Sequence, residues 1–559
     1  MNRTARTMLC VACALAAVPA FAQPSRDYYG TAEPFASEAV YFVLTDRFVN
    51  GDPGNDHRDQ GGANRTFDRP LTAPNGVTDN IGYQGGDFAG ILANAGYVRE
   101  MGFTAVWITP IVDNPDEAFT GGFDLGEALF ADRGKTGYHG YWGVNFYRVD
   151  EHLESAGLAF VDFTRRMRDE HGLKVVLDIV GNHGSPSFTM PVDQPKFGEI
   201  YDRDLRLVAD HQNLPPERLN PADPLHRFFR REPDLAELSN FDDTNPAVMD
   251  YLVGAYLQWI GEGAGAFRID TIRHVPSAFW REFARRIRER HPGFFMFGEH
   301  FEYDAAKIAV HMRPENGGVS VLDFPGQAAM AEVFGKPDVG YERMRESLHL
   351  TDGIYRNPYE LMSFYDNHDM ARLAATEEGF IDANNWLFTS RGIPVVYYGS
   401  EMAFMAGTRE HEGNRNYFGP GNVERARNHR IRAALARIAK VRRDSPALQR
   451  GLQVVLELRK NRAAFLRVYE HGTEAETALV LLNKGGIPAQ FEIDGGSAVG
   501  AWRDAMSGNT VTAARGEPLQ LEVPAHGVRV LTRNDRVQDA GLRRQLDRAM
   551  AALEPSSGR

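Results

Sequence analysis

Three apolar runs, each ending in an acidic residue, limit most tightly what this chain can fold into. The first is Ala266-Phe267-Arg268-Ile269-Asp270. Phe267 and Ile269 alternate with Arg268 and Asp270, which is the two-residue period of a strand. Pro276 and the spacing of Phe279, Trp280, Phe283 and Ile287 then read as a helix. About twenty-nine residues further on, one strand–helix unit of a (β/α) barrel, Phe294-Phe295-Met296-Phe297-Gly298 runs into Glu299. Met362-Ser363-Phe364-Tyr365 leads in the same way to Asp366-Asn367-His368-Asp369. A single Asp or Glu in such a place is ordinarily a helix cap or a loop charge. Three strand ends carrying Asp270, Glu299 and Asp369, with Arg268, His368 and Asn182-His183 similarly placed, point to a catalytic rim. The C-terminal ends of barrel strands are where such rims form.

The rest of the chain supplies the remaining strands. Apolar runs at 39–44, 105–108, 173–179, 266–270, 294–298, 319–322, 361–365 and 394–397 make eight, most followed by helical periodicity, as at 91–101 and 158–171. The gap between the third and fourth is too long for one helical connection and is rich in Pro and Asp from 185 to 245, which reads as an inserted subdomain. From 452 the pattern becomes short alternating strands with Gly and Asn turns (453–458, 463–469, 478–482, 528–531), as in an antiparallel β-sandwich. The expected architecture is an α/β (β/α)₈ TIM barrel over 23–183 and 241–447, an inserted subdomain over 184–240, a C-terminal sandwich over 448–533 and a helical tail over 534–559.

Residues 1–22 read as a signal peptide. Arg3 and Arg6 precede an apolar stretch over 8–18, and Ala20-Phe21-Ala22 is a small-x-small cleavage site. Cleavage after Ala22 would remove both cysteines, Cys10 and Cys13, so no disulfide is expected in the exported chain, whether periplasmic or secreted. It would also remove two positive charges, taking the formal net charge from −13 to −15. Such an acidic surface argues against nucleic acid and anionic membranes as partners, and no later stretch is long and apolar enough to span a bilayer. A monomer is expected.

These runs resemble the sequence regions of the α-amylase family, glycoside hydrolase family 13. Asp178-Ile179-Val180-Gly181-Asn182-His183 is similar to its first region, Phe267-Arg268-Ile269-Asp270 with Arg273-His274 to its second, Gly298-Glu299 to its third and Asn367-His368-Asp369 to its fourth. Gly137-Tyr138-His139-Gly140-Tyr141-Trp142-Gly143 and Gly392-Ile393-Pro394-Val395-Val396-Tyr397-Tyr398-Gly399-Ser400-Glu401 match flanking runs, and all six occur in the family's order. The likeness covers roughly residues 39 to 532. It implies a retaining cleavage of α-1,4-glucosidic bonds in starch, maltodextrins or related α-glucans, with a transglycosylase or cyclomaltodextrin-hydrolysing member as the alternative.

The resemblance also assigns roles. Asp270 becomes the nucleophile, Glu299 the general acid/base, and Asp369 the group that favours the distorted, positively charged transition state. The residues themselves agree with that division. Arg268, on the same strand face as Asp270, would keep it ionised, and burial of Glu299 after an apolar run would let it hold a proton. His183, His368, Tyr141, Trp142, Arg273, His274 and Arg372 are the candidate sugar contacts, with Tyr141 as the aromatic platform and Trp142 divided evenly between stacking and packing.

Calcium is the implied metal, since the candidate ligands are oxygens. One implied site joins Asn182, the His274 carbonyl and Glu237, the last standing where the family usually has Asp. The other, resembling a calcium loop of the cyclodextrin glucanotransferases, comprises Asn50, Asp52, Asn55, Asp56, Gly85 and Asp87. An Asx-rich turn without metal explains that second set nearly as well. Two departures bear on specificity. Glucanotransferases carry an aromatic residue where Pro233 stands, which counts against cyclisation, and the family often has Lys where Arg273 stands.

Overall fold

The computed structural model describes residues 26–126, 130–494, 499–514 and 516–553. The expected signal peptide lies outside the described residues. Eight short strands form one parallel sheet: β1 (Val40–Val43), β2 (Ala105–Ile108), β3 (Lys174–Ile179), β4 (Ala264–Ile269), β5 (Met296–Gly298), β6 (Ser320–Val321), β7 (Met362–Ser363) and β8 (Ile393–Tyr397). Neighbours in the sheet run β6-β5-β4-β3-β2-β1-β8-β7. A parallel bridge from Leu322 to Met362 brings the two ends together, so the sheet curls into a nearly closed (β/α)₈ barrel. Strands covered on both faces need no polar alternation, and β1 and β2 are buried at every residue.

Helices cover the barrel, some through one apolar face and others, such as Glu377–Thr389, buried nearly all round. In the helix Phe160–His171, Phe160, Phe163, Thr164 and Met167 are buried, a spacing that lines up one side. Gly172 ends it in the left-handed conformation at φ 64°. The single helix expected over 91–101 is two, Phe88–Ala93 and Ala95–Glu100, broken at Asn94 (φ −107°, ψ 10°). Asn94 closes the first turn by donating to Ile91 and Leu92 carbonyls, a termination that spacing of apolar residues does not reveal.

Two excursions build up the rim. Between β2 and β3 the chain makes a small hairpin, Val112–Asp113 with Asn145–Val149. Between β3 and β4 lies the inserted subdomain, where His183–Pro186 pairs antiparallel with Leu238–Asn240, and Glu199–Tyr201 with Leu207–Asp210. Phe119, Trp142, Met190 and Phe197 form a small core joining the two excursions.

The C-terminal unit packs a six-stranded antiparallel sheet and a two-stranded one, Ala489–Ile493 with Leu519–Val523, over Trp502, Leu479, Leu481, Phe491 and Leu521. The tail forms a helix, Ala540–Leu553, whose Leu542, Leu546 and Ala549 are buried in this second core. Tyr28 of the lead-in donates to Asp547 of that helix at 3.0 Å.

Candidate active site

Strand register sets the site. Ile269 of β4 lies beside Gly298 of β5, so the next residues, Asp270 and Glu299, leave adjacent strands at the same level. Their amides continue the ladder, Asp270 N–H to Ile179 O and Glu299 N–H to Ile269 O, each at 2.8 Å. After Asp270 the chain turns sharply. Thr271 takes the left-handed region at φ 46° and ψ 37°, a strained place for a β-branched residue. Thr271 Oγ1 donates to Asp270 Oδ2 at 3.0 Å.

Arg268 is the hub. It is fully buried, and its Nη1 donates at 2.9 Å to both Asp178 and Asp270. Its Nη2 lies 3.1 Å from Glu299 and 3.9 Å from Asp369. Tyr141 Oη donates to Asp178 at 2.8 Å and meets His368 Nε2 at 2.9 Å, while Trp107 Nε1 donates to Asp178 at 3.1 Å. Asp178 thus orients the cation and the tyrosine from behind. Its place in the first motif was visible in the sequence, but its task was not.

One guanidinium cannot neutralise four carboxylates. Burial, reinforced by the charges of Asp369 and Asp270, pushes Glu299 up to about 8 against the pull of Arg268. Burial also raises Asp369, against Arg415 and Arg268. His183 and His368 are both lowered by burial, so they are neutral hydrogen-bonding groups at neutral pH. At that pH the site therefore combines a protonated acid with the fixed charge of Arg268.

Asp270, Glu299, Asp369, His183, His368, Tyr141 and Trp142 all line one cleft of about 270 Å³. Trp142 is 6% exposed and belongs to the Phe119–Phe197 cluster, so packing is most of its work. The other expected sugar contacts fall elsewhere. Arg372 is buried behind the rim, where it donates to the carbonyls of Tyr398 (2.8 Å) and Asn414 (3.2 Å) beneath the rings of Tyr397, Tyr398 and Phe404. That is a structural task and corrects the expectation of sugar contact. Arg273 donates to Phe301 O at 2.9 Å, and His274 Nδ1 meets Asp234 at 3.0 Å; neither lines the cleft.

The cleft also contains charges that the motifs did not announce. Arg415 Nη2 holds Asp369 at 2.9 Å, its Nη1 holds Glu410 at 2.9 Å, and Lys135 Nζ holds Glu410 at 3.2 Å. Lys135 and Glu410 are 275 residues apart, so no local pattern links them. Asp132, pushed up to about 7 by burial, is paired with Glu237. Glu237 therefore faces the cleft and not Asn182, a correction to its place among metal ligands.

The two implied calcium sites differ. Beside Asn182 the carboxylate is Asp234, 3.3 Å from Asn182 Nδ2, and the His274 carbonyl is taken by both Nη groups of Arg230 at 3.2 Å. This donor-filled set does not fit a calcium ion. The Asn50–Asp56 loop fits better, through two free amide oxygens, although Asp56 itself already accepts from Asn50 Nδ2 and from Arg58, each at 2.6 Å. Asn50 Oδ1 and Asn55 Oδ1 are buried with no partner, the disposition of ligand oxygens. Gly85, at φ +83°, comes so close that an added Cβ would lie 2.3 Å from both Asn50 Nδ2 and Asp56 Oδ1. Asp87 instead accepts from the amides of Gly51, Asp52 and Gly90, and Asp52 from that of Gly54, so these two also stiffen the loop.

A parallel barrel with four carboxyls gathered around one buried arginine at the ends of its strands is the arrangement found here. The family model for the α-amylase catalytic domain matches residues 42–438, and the chain belongs to that family. Relatives include a cyclomaltodextrin glucanotransferase of Klebsiella oxytoca, 27% identical over 83% of this chain and 72% of that protein. A β/α-amylase of Paenibacillus polymyxa is 28% identical over 75% of this chain. The chain spans only 31% of the Paenibacillus protein and 56% of a Geobacillus stearothermophilus glucanotransferase. Among solved structures, an Anoxybacillus α-amylase superposes with a TM-score of 0.68 (25% identity, 90% of this chain, 99% of that one). The three-domain cyclomaltodextrin glucanotransferase CldA superposes with a TM-score of 0.71 (28% identity, 89% and 99%).

Proposed function

We propose that this chain is an exported α-glucan hydrolase that cleaves α-1,4-glucosidic bonds of starch or maltodextrin with retention. The observation that carries the reading is the pairing of Asp270 and Glu299 at one level of adjacent strands, on opposite arms of Arg268. Side chains leaving neighbouring parallel strands about 4.8 Å apart can bring their carboxyls to the roughly 5–5.5 Å that a retaining glycosidase needs. Asp270, oriented by Arg268 at 2.9 Å, attacks the anomeric carbon while Glu299 protonates the leaving oxygen. Water, deprotonated by Glu299, then releases the sugar from Asp270. Asp369, clamped by Arg415, stabilises the positive charge that develops on the ring. His183 and His368 hydrogen-bond sugar hydroxyls, and Tyr141 lies beneath the ring.

Transfer to a sugar acceptor is the second reading. The relatives named as glucanotransferases favour it. Pro233, which offers no aromatic ring for a glucan to curl around, favours hydrolysis. Purified enzyme given soluble starch, maltoheptaose and γ-cyclodextrin, with Asp270→Asn as blank, decides the matter. New reducing ends and short linear products from starch are expected. Products longer than the maltoheptaose supplied, with few new reducing ends, would make sugar the main acceptor.

Asn50, Asn55, Asp56 and Gly85 are proposed to hold a calcium ion that pins the loop after β1. A bound ion at 100 times its Kd stabilises a fold by about 2.7 kcal/mol. Chelator should therefore lower the melting temperature of the wild type, and Asp56→Ala should melt lower and no longer respond to calcium. Identical melting of wild type with and without chelator would remove the ion from this loop.

A further inference from the structure

The second place where the family likeness implies calcium has the opposite character. It lies where the inserted subdomain meets the ends of β3 and β4, and a side-chain cation already stands there. Arg230 turns both Nη groups to the His274 carbonyl at 3.2 Å and its Nε to the Phe241 carbonyl at 2.9 Å. Its Nη2 pairs with Asp243 at 3.0 Å, and its Nη1 lies 4.0 Å from Asp234. Asp234 in turn takes His274 Nδ1 at 3.0 Å and Asn182 Nδ2 at 3.3 Å.

We propose that the Arg230 guanidinium replaces calcium as the cation that docks the inserted subdomain onto the barrel, so that this junction is independent of the metal. Three arguments support it. A hard divalent ion needs carbonyl and carboxylate oxygens free to point at it, and here the His274 carbonyl is occupied by donors. Arg230, in the subdomain, takes one of the groups that an ion would draw together, the His274 carbonyl in the turn after β4, and it adds Asp243 in the chain entering the next helix, while Asp234 ties the subdomain to Asn182. A calcium ion among these groups would also face the positive charge of Arg230 at hydrogen-bond range, where repulsion in a half-buried site is strong. The fixed fork of a guanidinium suits several oxygens at once, as a lysine would not. One buried oxygen, Asn182 Oδ1, has no partner, and for this reason the test counts bound metal directly.

The consequence reaches the active site. Leu235, Ala236, Glu237 and Leu238 follow Asp234 directly and form one wall of the catalytic cleft. The position of that wall is then set by an amino acid and not by the calcium level of the surroundings.

The test is a calcium count per chain, by equilibrium dialysis after chelator treatment, on wild type, Asp234→Asn and Asp56→Ala. Equal counts in wild type and Asp234→Asn are expected, whatever Asp56→Ala shows for the distant loop. Loss of one bound calcium in Asp234→Asn would overturn the proposal. Arg230→Met should also melt below wild type by at least about 3 °C, in calcium and in chelator alike. Melting equal to wild type under both conditions would overturn it too. If Arg230→Met does not fold, the comparison of wild type with Asp234→Asn decides alone.

Discussion

Glu299→Gln should lose about 10²- to 10⁴-fold in turnover on starch, because the leaving oxygen then departs without a proton. Binding should change little, since Gln keeps the size and the hydrogen-bonding edge of the side chain. A maltosyl fluoride, whose leaving group needs no proton, should be spared most of the loss in the first step. That contrast separates a missing acid from a collapsed site. The wild-type profile should fall on its alkaline side as Glu299 ionises near pH 8, and the variant should lack that limb. Turnover near that of wild type on starch would end the acid/base assignment.

The same carboxyl makes a prediction about stability with the opposite sign. Its folded value of about 8 lies above the ordinary 4.5, so the folded chain holds this proton more tightly than the unfolded one. Its contribution is fully present below pH 4.5 and is lost as pH rises to 8. Gln cannot ionise. Glu299→Gln should therefore melt higher than wild type near pH 8 and similarly to it below pH 4.5. A buried acid ready to donate a proton strains the fold in the pH range where it is useful, in keeping with the trade between activity and stability at functional sites.

Arg268→Met should have the largest effect on the fold. The residue is fully buried and is the shared cation of Asp178, Asp270, Glu299 and Asp369. Removing one member of a buried ion pair leaves the others uncompensated and costs about 3–5 kcal/mol. Here the carboxyls would lose the group that holds them in place, and Asp270 would lose the contact that aims it. We expect a lowered melting temperature and at least about a 10³-fold loss of activity, with partial recovery of stability as the pH is lowered. Arg268→Lys should recover less activity than charge alone suggests, since an ammonium cannot reach Asp178, Asp270 and Glu299 through separate arms. A Met variant that melts like wild type would show that the carboxyls do not depend on this charge.

Much of this was legible in one dimension. The barrel announced itself because parallel strands buried on both faces read as continuous apolar runs, and because a carboxylate at the end of such a run has no packing reason to be there. The insertion showed as a gap too long for one helix, and the sandwich as a change of period. Arg268 and Asp270 share a strand face two residues apart, so their contact follows from strand geometry alone. What the sequence misjudged lay one step further. Arg372 follows Asp369 by three residues and carries the right charge, yet it points under the rim into Tyr397, Tyr398 and Phe404. Glu237 stands where a ligand was expected, but a turn with Ala236 at φ +45° sends it to the cleft and leaves Asp234 beside Asn182.

The sequence by itself thus determined the class of fold, the order of its parts, and which carboxylates stand on the rim. Each of these depends on periodicity or on residues close together in the chain. The tertiary structure decided which charges meet. Arg415 clamps Asp369, Lys135 reaches Glu410 across 275 residues, and Arg230 fills the His274 carbonyl that calcium was expected to use. These contacts depend on where long loops land after the barrel closes. Electrostatic partners are chosen by distance in space and by exclusion of water, and neither is written in the spacing of residues along a chain.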